Sequence, residues 1–261
     1  MIIFLALLLS ILTTVTMSTK SAIIKKLRSR VVKVESIFQK VIESQAKVVM
    51  IGESSHGTAD FYRTRCDLTK ALIESGRCNG VLIEGDLPDT AELHRFVTGQ
   101  STKTLDETFV GFERFPSWMW ANTNMKSFVD WLSRFNAEGR GQTKSVGIFG
   151  LDLYSLHLSM EKVIEYLEID KEMQAMVKRS YACFGAFDPQ TYGMLVERGL
   201  IKGCRKVAVD ALKKISAKTA IYAKTDPRDE TTSADEAFIN EMNARVVVGA
   251  EKYYRTVSTY L

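Results

Sequence analysis

Residues 81–89 read Val-Leu-Ile-Glu-Gly-Asp-Leu-Pro-Asp, a short apolar run that passes through an acid and a glycine into the start of a helix. Two other segments repeat this design: residues 48–51 lead into Gly52-Glu53, and residues 146–149 lead into Gly150-Leu151-Asp152. Continuous apolar runs of this length, separated by segments with helical periodicity, are typical of buried strands in a parallel sheet. The sequence therefore predicts an α/β fold with a mostly parallel sheet surrounded by helices.

The second half of the chain carries helical periodicity almost without interruption. Apolar residues recur there at three- and four-residue steps, the mark of a helix with one buried face. The predicted helices of this half cover residues 155–167, 171–183, 190–197, 204–223 and 233 to the end, with a polar loop at 225–230. Earlier helices are predicted over 20–45, 60–74 and 125–137, and one more begins at 87–89.

The composition is that of a folded chain. Of its 261 residues, 46% are hydrophobic and 25% are charged, which excludes a disordered or fibrous protein. The net charge of +4 is too small and too scattered to indicate nucleic-acid binding, which needs a clustered basic face. Cys66, Cys78, Cys183 and Cys204 form no CxxC pair, so a zinc ribbon or a thioredoxin-like motif is excluded, and reduced, partly buried thiols are expected.

The first 17 residues differ in composition from the rest. Residues 2–12 are nearly all apolar, but this run is shorter than the ~20 residues that a membrane-spanning helix needs. Three alternatives remain open: a cleaved signal, a short anchor, or an over-extended start with Met17 as the true first residue. The chain would be cytoplasmic if it starts at Met17, and secreted or membrane-associated if the leader is real. Membrane contact is expected only if residues 2–17 are retained as an anchor.

Ionisable side chains follow all three predicted strands. Ligands bind beyond the carboxyl ends of strands in parallel sheets, and Glu53, His56, Glu84, Asp86 and Asp152 are all predicted to lie there. Carboxylates beside an imidazole can fix its tautomer, raise its basicity and position a water for attack. Each residue alone could be a helix cap or a turn acid, but five at three strand ends predict a site.

Residues 52–57, Gly-Glu-Ser-Ser-His-Gly, are the densest part of this predicted site. A Glu-x-x-His spacing also occurs in carboxylate-bridged metal sites, but there it repeats on bundle helices, whereas here it occurs once and on a loop. No metal and no cofactor are therefore expected. His94 and His157 lie within helical patterns and are expected to be surface or capping residues. The chain has no GxSxG elbow and no Walker loop, which disfavours a serine hydrolase and a nucleotide-binding enzyme.

Ordered blocks between about residues 46 and 255 resemble the erythromycin esterase family. The first is Ile-Gly-Glu-Ser-Ser-His-Gly-Thr at 51–58, followed by Phe-Tyr-Arg-Thr-Arg at 61–65 and Leu-Thr at 68–69. Later blocks lie at residues 83–89, 114–120, 150–156, 243–245 and 250–255. The chain is identified from these blocks as a member of that family.

The resemblance implies an activity and a set of residues. Family enzymes that inactivate macrolide antibiotics, and so act in the response to antibiotic, hydrolyse the macrolactone ester without a metal, using a histidine that activates water. That base corresponds to His56, and the supporting acids and arginine correspond to Glu53, Glu84 and Arg65. Asp152 and Trp118 lie in matching blocks and are assigned only to the pocket wall or scaffold. The implied partner is a small-molecule ester.

One departure from the family is expected to matter. Family members continue beyond the Tyr-Tyr-Arg block at 253–255 into a region with a second functional histidine and further strands, for which this chain has no counterpart. Residues 18–261 are thus expected to be the N-terminal part of an erythromycin-esterase-like domain, with half of the site. Two alternatives stay open: a truncated paralogue that binds a ligand without turnover, and a metal-dependent hydrolase using Glu53, His56, Glu84 and Asp152.

Overall fold

The computed structural model describes residues 17–258, except positions 30, 32, 45, 115, 140–144, 186 and 223–233. In chain order, its helices and strands are α1 (Met17–Arg28), α2 (Val34–Glu43), α3 (Ala59–Glu74), β1 (Gly80–Asp86), α4 (Leu87–Val97), α5 (Thr123–Ala137), β2 (Gly147–Asp152), α6 (Leu156–Tyr166), α7 (Lys171–Tyr181), α8 (Pro189–Glu197), α9 (Arg205–Tyr222) and α10 (Ala234–Val257). Short 3₁₀ turns lie at Glu107–Phe109, Ser117–Met119, Leu167–Ile169 and Ala182–Phe184. Residues 1–16 of the predicted leader and the predicted loop at 225–230 lie outside the described residues.

The chain divides into two compact units, neither of which is continuous in sequence. The first comprises Met1–Asn79 and Phe112–Val146, and the second comprises Gly80–Gly111 and Gly147–Leu261. In the first unit, α3 packs against α5, and both helices bury apolar side chains. Asn122 caps the start of α5, where its side-chain oxygen accepts a hydrogen bond from the backbone N–H of Met125 at 3.0 Å.

The prediction of a strand at residues 48–51 is wrong. This segment forms no strand, and Val48 and Met50 are largely exposed. An apolar run predicts burial, but a strand also needs a neighbouring strand with which to exchange backbone hydrogen bonds. The predicted helix over 20–45 is likewise divided into α1 and α2. The structure confirms the two later parallel strands, β1 and β2, and the helical second half. In the described part of the chain the sheet has two strands, whereas three were predicted.

Strands β1 and β2 form the sheet of the second unit. They pair in parallel, with Gly80 opposite Gly147 and Asp86 opposite Asp152, and α4 packs against β2. Gly150 is the point of closest approach, because a Cβ atom there would overlap the carbonyl oxygen of Gly85 and lie 2.7 Å from Thr90 Oγ1. Only glycine therefore allows β1, β2 and α4 to come together at this position.

The helical layer of the second unit is centred on α10, which packs against α6, α8 and α9. Its core includes Val163, Val177, Phe184, Tyr192 and Val247, all without solvent exposure. A polar chain runs through this core. The backbone N–H of Cys204 donates to Tyr192 Oη at 2.7 Å, and Tyr192 Oη donates to Glu251 Oε1 at 3.2 Å. Burial raises the pKa of Tyr192 to about 12, which keeps its hydroxyl proton available as a donor.

The expectation that all four cysteines are reduced is wrong. Cys183 and Cys204 form a disulfide with their Cα atoms 5.8 Å apart, while Cys66 and Cys78 are free. The pairing could not be read from sequence spacing, because it depends on the core packing that brings the turn after α7 to the start of α9. Burial raises the pKa of the Cys66 thiol to about 11, so this cysteine is a poor nucleophile near neutral pH.

None of the helices that the structure describes combines the length with the apolar character that crossing a bilayer requires.

Replacing Gly150 with Ala is expected to destabilise the second unit. The added methyl group meets a backbone carbonyl that cannot rotate away, and overpacking of this kind costs about 1–3 kcal/mol. The measurement is the free energy of unfolding from urea denaturation. Gly80→Ala is the matched control on the same sheet, because nothing lies within 4 Å of a Cβ at Gly80. Equal midpoints for the two variants would contradict this account of the close approach.

Candidate functional site

The candidate site is centred on a contact between Glu53 and His56. His56 Nδ1 lies 2.6 Å from Glu53 Oε1, on the loop that precedes α3. The Glu53 side chain is only 7% exposed, whereas that of His56 is 47% exposed. Within the described residues, His56 Nε2 makes no hydrogen bond. The buried carboxylate therefore holds one nitrogen of the ring and leaves the other open to a substrate or a water.

The loop takes its shape from Gly57. This residue has φ +84°, a conformation that L side chains rarely adopt, and the Trp118 ring lies 3.1 Å from where its Cβ would be. The backbone N–H of Gly57 donates to Tyr62 Oη at 3.3 Å, which ties the loop to the first turn of α3. Trp118 is 46% exposed, and its ring lies against this loop next to His56.

Arg65 is the third member of the cluster. Its Nη2 lies 2.9 Å from Glu53 Oε2, an ion pair without hydrogen-bond geometry. The guanidinium lies 4.7 Å from the centre of the Tyr62 ring and 5.3 Å from that of Trp120. Tyr62 and Trp120 meet edge to face, with their centres 6.3 Å apart. The two oxygens of Glu53 thus have separate partners, His56 and Arg65, and aromatic rings hold the arginine in place.

This arrangement determines the tautomer of His56. Glu53 as a carboxylate only accepts hydrogen bonds, so Nδ1 carries the proton and Nε2 carries the lone pair. A ring held in this way can take a proton from water through Nε2. The site can therefore act as a general base, with Glu53 orienting the ring and stabilising the imidazolium that forms.

The other predicted site residues lie in the second unit. Glu84 lies on β1 and is exposed, while Asp86 is buried opposite Asp152 at the carboxyl ends of β1 and β2. The structure thus brings Glu53, His56 and Arg65 together in one unit, and Asp86 and Asp152 together in the other. Glu53 and His56 do not follow a strand, contrary to prediction. The role of Glu84 as a supporting acid of His56 stays a prediction.

Two aromatic residues of the cluster had no predicted role. Tyr62 and Trp120 belong to the blocks that resemble the family, but nothing in their composition alone marks them as partners of Arg65. A signal was nevertheless present: Tyr62 precedes Arg65 by three positions on a helix, and residues at this spacing share a face. Trp120 is distant in sequence, and only the fold brings it to this face.

The remaining histidines lie elsewhere. The expectation that His94 is a surface or capping residue is wrong: it is buried, and its ring stacks on Phe149 with centres 4.4 Å apart. His157 Nε2 hydrogen-bonds the carbonyl oxygen of Phe187 at 2.8 Å. Over the ranges that the structure describes, no three His, Cys, Asp or Glu side chains are grouped closely enough to hold a metal ion.

Two solved structures resemble this fold. A succinoglycan biosynthesis protein is 18% identical with a TM-score of 0.61, and the alignment covers 92% of this chain and 58% of that chain. A mutant of the erythromycin esterase EreC in its open conformation is 15% identical with a TM-score of 0.50, covering 86% of this chain and 53% of that one. At these identities the likeness shows the fold alone. The chain spans little more than half the length of either relative.

The sequence itself gives the family. The sequence model described as erythromycin esterase matches residues 73–260, most of the chain. Of the four predicted catalytic residues, Glu84 lies within this match, and Glu53, His56 and Arg65 precede it. The blocks at 83–89, 114–120, 150–156 and 243–255 all fall inside it. This chain belongs to the erythromycin esterase family.

Proposed function

We propose that this protein is a hydrolase that cleaves a carboxylic ester, a macrolactone included, with water activated by His56. Family membership suggests the hydrolase class. The observation that carries the proposal is the 2.6 Å contact between Glu53 Oε1 and His56 Nδ1, which leaves Nε2 as a base on a half-exposed ring. No metal and no cofactor take part in the proposed reaction.

The proposed reaction has two steps. First, Nε2 of His56 removes a proton from water while the water oxygen forms a bond to the ester carbonyl carbon. The resulting tetrahedral intermediate carries its negative charge on the former carbonyl oxygen. That charge then re-forms the carbonyl as the bond to the leaving alkoxide breaks, and the imidazolium returns its proton to the alkoxide. The products are a carboxylic acid and an alcohol, and the ring is regenerated.

The contacts of Arg65 favour an indirect role. A cation can stabilise a developing oxyanion, but the Arg65 guanidinium is mostly buried against two aromatic rings and paired with Glu53. We therefore propose that Arg65 is a positioning residue that fixes Glu53, which in turn fixes the imidazole. Glu84 remains a proposed second acid of the same site.

The substrate class is proposed from the family alone. EreC is named an erythromycin esterase, so a macrolide lactone is the first substrate to test, together with a role in the response to antibiotic. A second candidate function is ligand binding without turnover.

Replacing His56 with Gln is expected to abolish most of the turnover. The amide keeps a polar group on the loop but cannot accept a proton from water, and a positioned general base is worth about 10²–10⁴ in rate. Hydrolysis of erythromycin and of a p-nitrophenyl ester would be measured, with circular dichroism to show that the variant is folded.

His157→Gln is the control for that variant, because His157 is a partly exposed histidine of the second unit whose Nε2 hydrogen-bonds the carbonyl oxygen of Phe187. A folded His56→Gln protein with more than a tenth of wild-type turnover would refute the role of His56. Binding of erythromycin with no hydrolysis by the wild type would favour the second candidate function.

Chelation is expected to leave turnover unchanged. The proposed base is an imidazole held by a carboxylate and needs no bound cation to activate water. The measurement compares hydrolysis before and after incubation with EDTA, followed by addition of Zn²⁺ or Mg²⁺. Activity that is lost to EDTA and regained with a metal would establish the metal-dependent alternative instead.

Arg65→Lys is expected to lower kcat by about 10- to 100-fold with little change in KM. Lysine keeps the charge but loses the planar group that lies against the aromatic rings, so Glu53 and the imidazole lose their alignment. The acid limb of the pH–rate profile should also move, because the environment of His56 changes. Arg63→Lys is the matched control on the same helix, with an exposed side chain paired to Asp60. A rise in KM with an unchanged pH profile would instead indicate direct contact with the substrate.

A further inference from the structure

A cleft lies entirely within the second unit. It has a volume of about 370 Å³ and is lined by residues of α4, α6 and α10 together with Lys103. This volume falls in the range of about 300–1,000 Å³ that small-molecule sites occupy. None of the residues proposed for ester hydrolysis lines the cleft, so its occupant is a question separate from the reaction.

The charged groups of the cleft neutralise one another. Arg95 forms two hydrogen bonds to Glu236, from Nε to Oε1 at 2.7 Å and from Nη2 to Oε2 at 2.9 Å, and it also contacts Glu92. Lys103 Nζ lies 2.5 Å from Glu92 Oε2. Lys162 Nζ lies 2.9 Å from Glu165 Oε2.

Three cations and three carboxylates thus line the cleft, and each is paired. An anion or a cation entering it would meet a like charge and would compete with an existing ion pair. A neutral ligand keeps these pairs intact. It can accept hydrogen bonds from the lysines and donate others to the carboxylates.

Two buried amides form part of the cleft wall. Asn240 and Asn243 on α10 line the cleft and are only 4% and 2% exposed. In the described part of the chain, the side-chain oxygen of each has no hydrogen-bond donor. Buried acceptors without a donor are rare and unfavourable in folded proteins. Each oxygen is closed to solvent, so the amide must turn towards the cleft before a ligand hydroxyl can supply the missing donor.

The rest of the lining is apolar or aromatic. Pro88, Ala91 and Ile239 contribute carbon atoms, and Tyr166 contributes an aromatic ring with a polar end. A pyranose ring has matching properties, since its C–H faces are apolar and its edge carries hydroxyl groups that both donate and accept hydrogen bonds.

We propose that the cleft between α4, α6 and α10 binds a neutral saccharide. The paired charges select against ionised ligands, the asparagine oxygens accept hydrogen bonds from hydroxyl groups, and the apolar surface receives a face of the ring. This site goes beyond the proposed esterase function, and neither proposal depends on the other.

Saturation-transfer NMR and titration calorimetry on the whole chain test this proposal. The probes are the neutral sugars cellobiose, maltose, lactose and N-acetylglucosamine, with glucuronate and inorganic phosphate as charged probes. At least one neutral sugar should bind at millimolar concentration, and the charged probes should not. Binding is measured without any hydrolysis assay, so its failure is distinguishable from failure of the esterase proposal.

Two variants locate the binding. Asn240→Leu removes the amide but keeps a side chain that branches at Cγ, and Lys162→Ala removes a partly exposed donor. Each should weaken binding of the sugar by about tenfold, the worth of one hydrogen bond to a buried or charged group. Lys213→Ala is the control, because Lys213 pairs with Asp210 at the same three-residue spacing on α9, outside the cleft.

Every result of these binding measurements either supports or overturns saccharide binding in the cleft. If Asn240→Leu does not fold, sugar binding by Lys162→Ala still tests the proposal, because Lys162 lies on the exposed side of the cleft. The proposal is overturned if no neutral sugar binds, if the charged probes bind in preference, or if both folded variants bind as tightly as the Lys213→Ala control.

Discussion

The close approach of Gly150 to the backbone of Gly85 is the constraint on which the second unit depends. It brings β1, β2 and α4 to a separation that no side chain permits, and it thereby places Asp86 opposite Asp152 where both strands end. It also sets α4 firmly on the sheet, so that the outer face of this helix is available to form a wall of the cleft with α6 and α10. A single backbone contact thus determines the arrangement of two acids and of one wall of the cleft.

In the first unit, the arrangement of the candidate site depends on the buried carboxylate of Glu53. Glu53 contacts His56 through one oxygen and Arg65 through the other, so it connects a half-exposed imidazole to the rigid helix α3. The aromatic rings of Tyr62 and Trp120 lie against the guanidinium of this arginine. Precise chemistry requires such support: His56 and the carboxylate of Glu53 that orients it lie on a loop, and Arg65, which holds that carboxylate, lies on a helix. The loop contributes exposure, and the helix contributes rigidity.

The sequence predicts correctly those elements that a local pattern of apolar residues is enough to define. It does not predict features that depend on contact with a residue or strand far away in the chain. The strands β1 and β2 were predicted because apolar runs lead directly into helices, and α4 was predicted from Leu87-Pro88-Asp89. Residues 48–51 have the same apolar character but no strand beside them. Glu53, His56 and Arg65 could be brought into one hypothesis by their chemistry and by family resemblance. Tertiary packing, which periodicity does not encode, produces the remaining features. These are the contacts of Tyr62 and Trp120, the burial of His94 and the disulfide between Cys183 and Cys204.

The division of the chain into two discontinuous units has a consequence for how the protein folds. Strand β1 belongs to the second unit, but its partner β2 is synthesised only after the segment of the first unit that contains α5. During synthesis, the backbone edge of β1 therefore stays unpaired until α5 and then β2 have been made. Pairing β1 with β2 also closes a long loop of chain between them. Contacts of such high sequence separation slow folding and leave the unpaired strand open to association with other chains. For the same reason, neither unit can be obtained as a folded fragment by a single cut in the polypeptide.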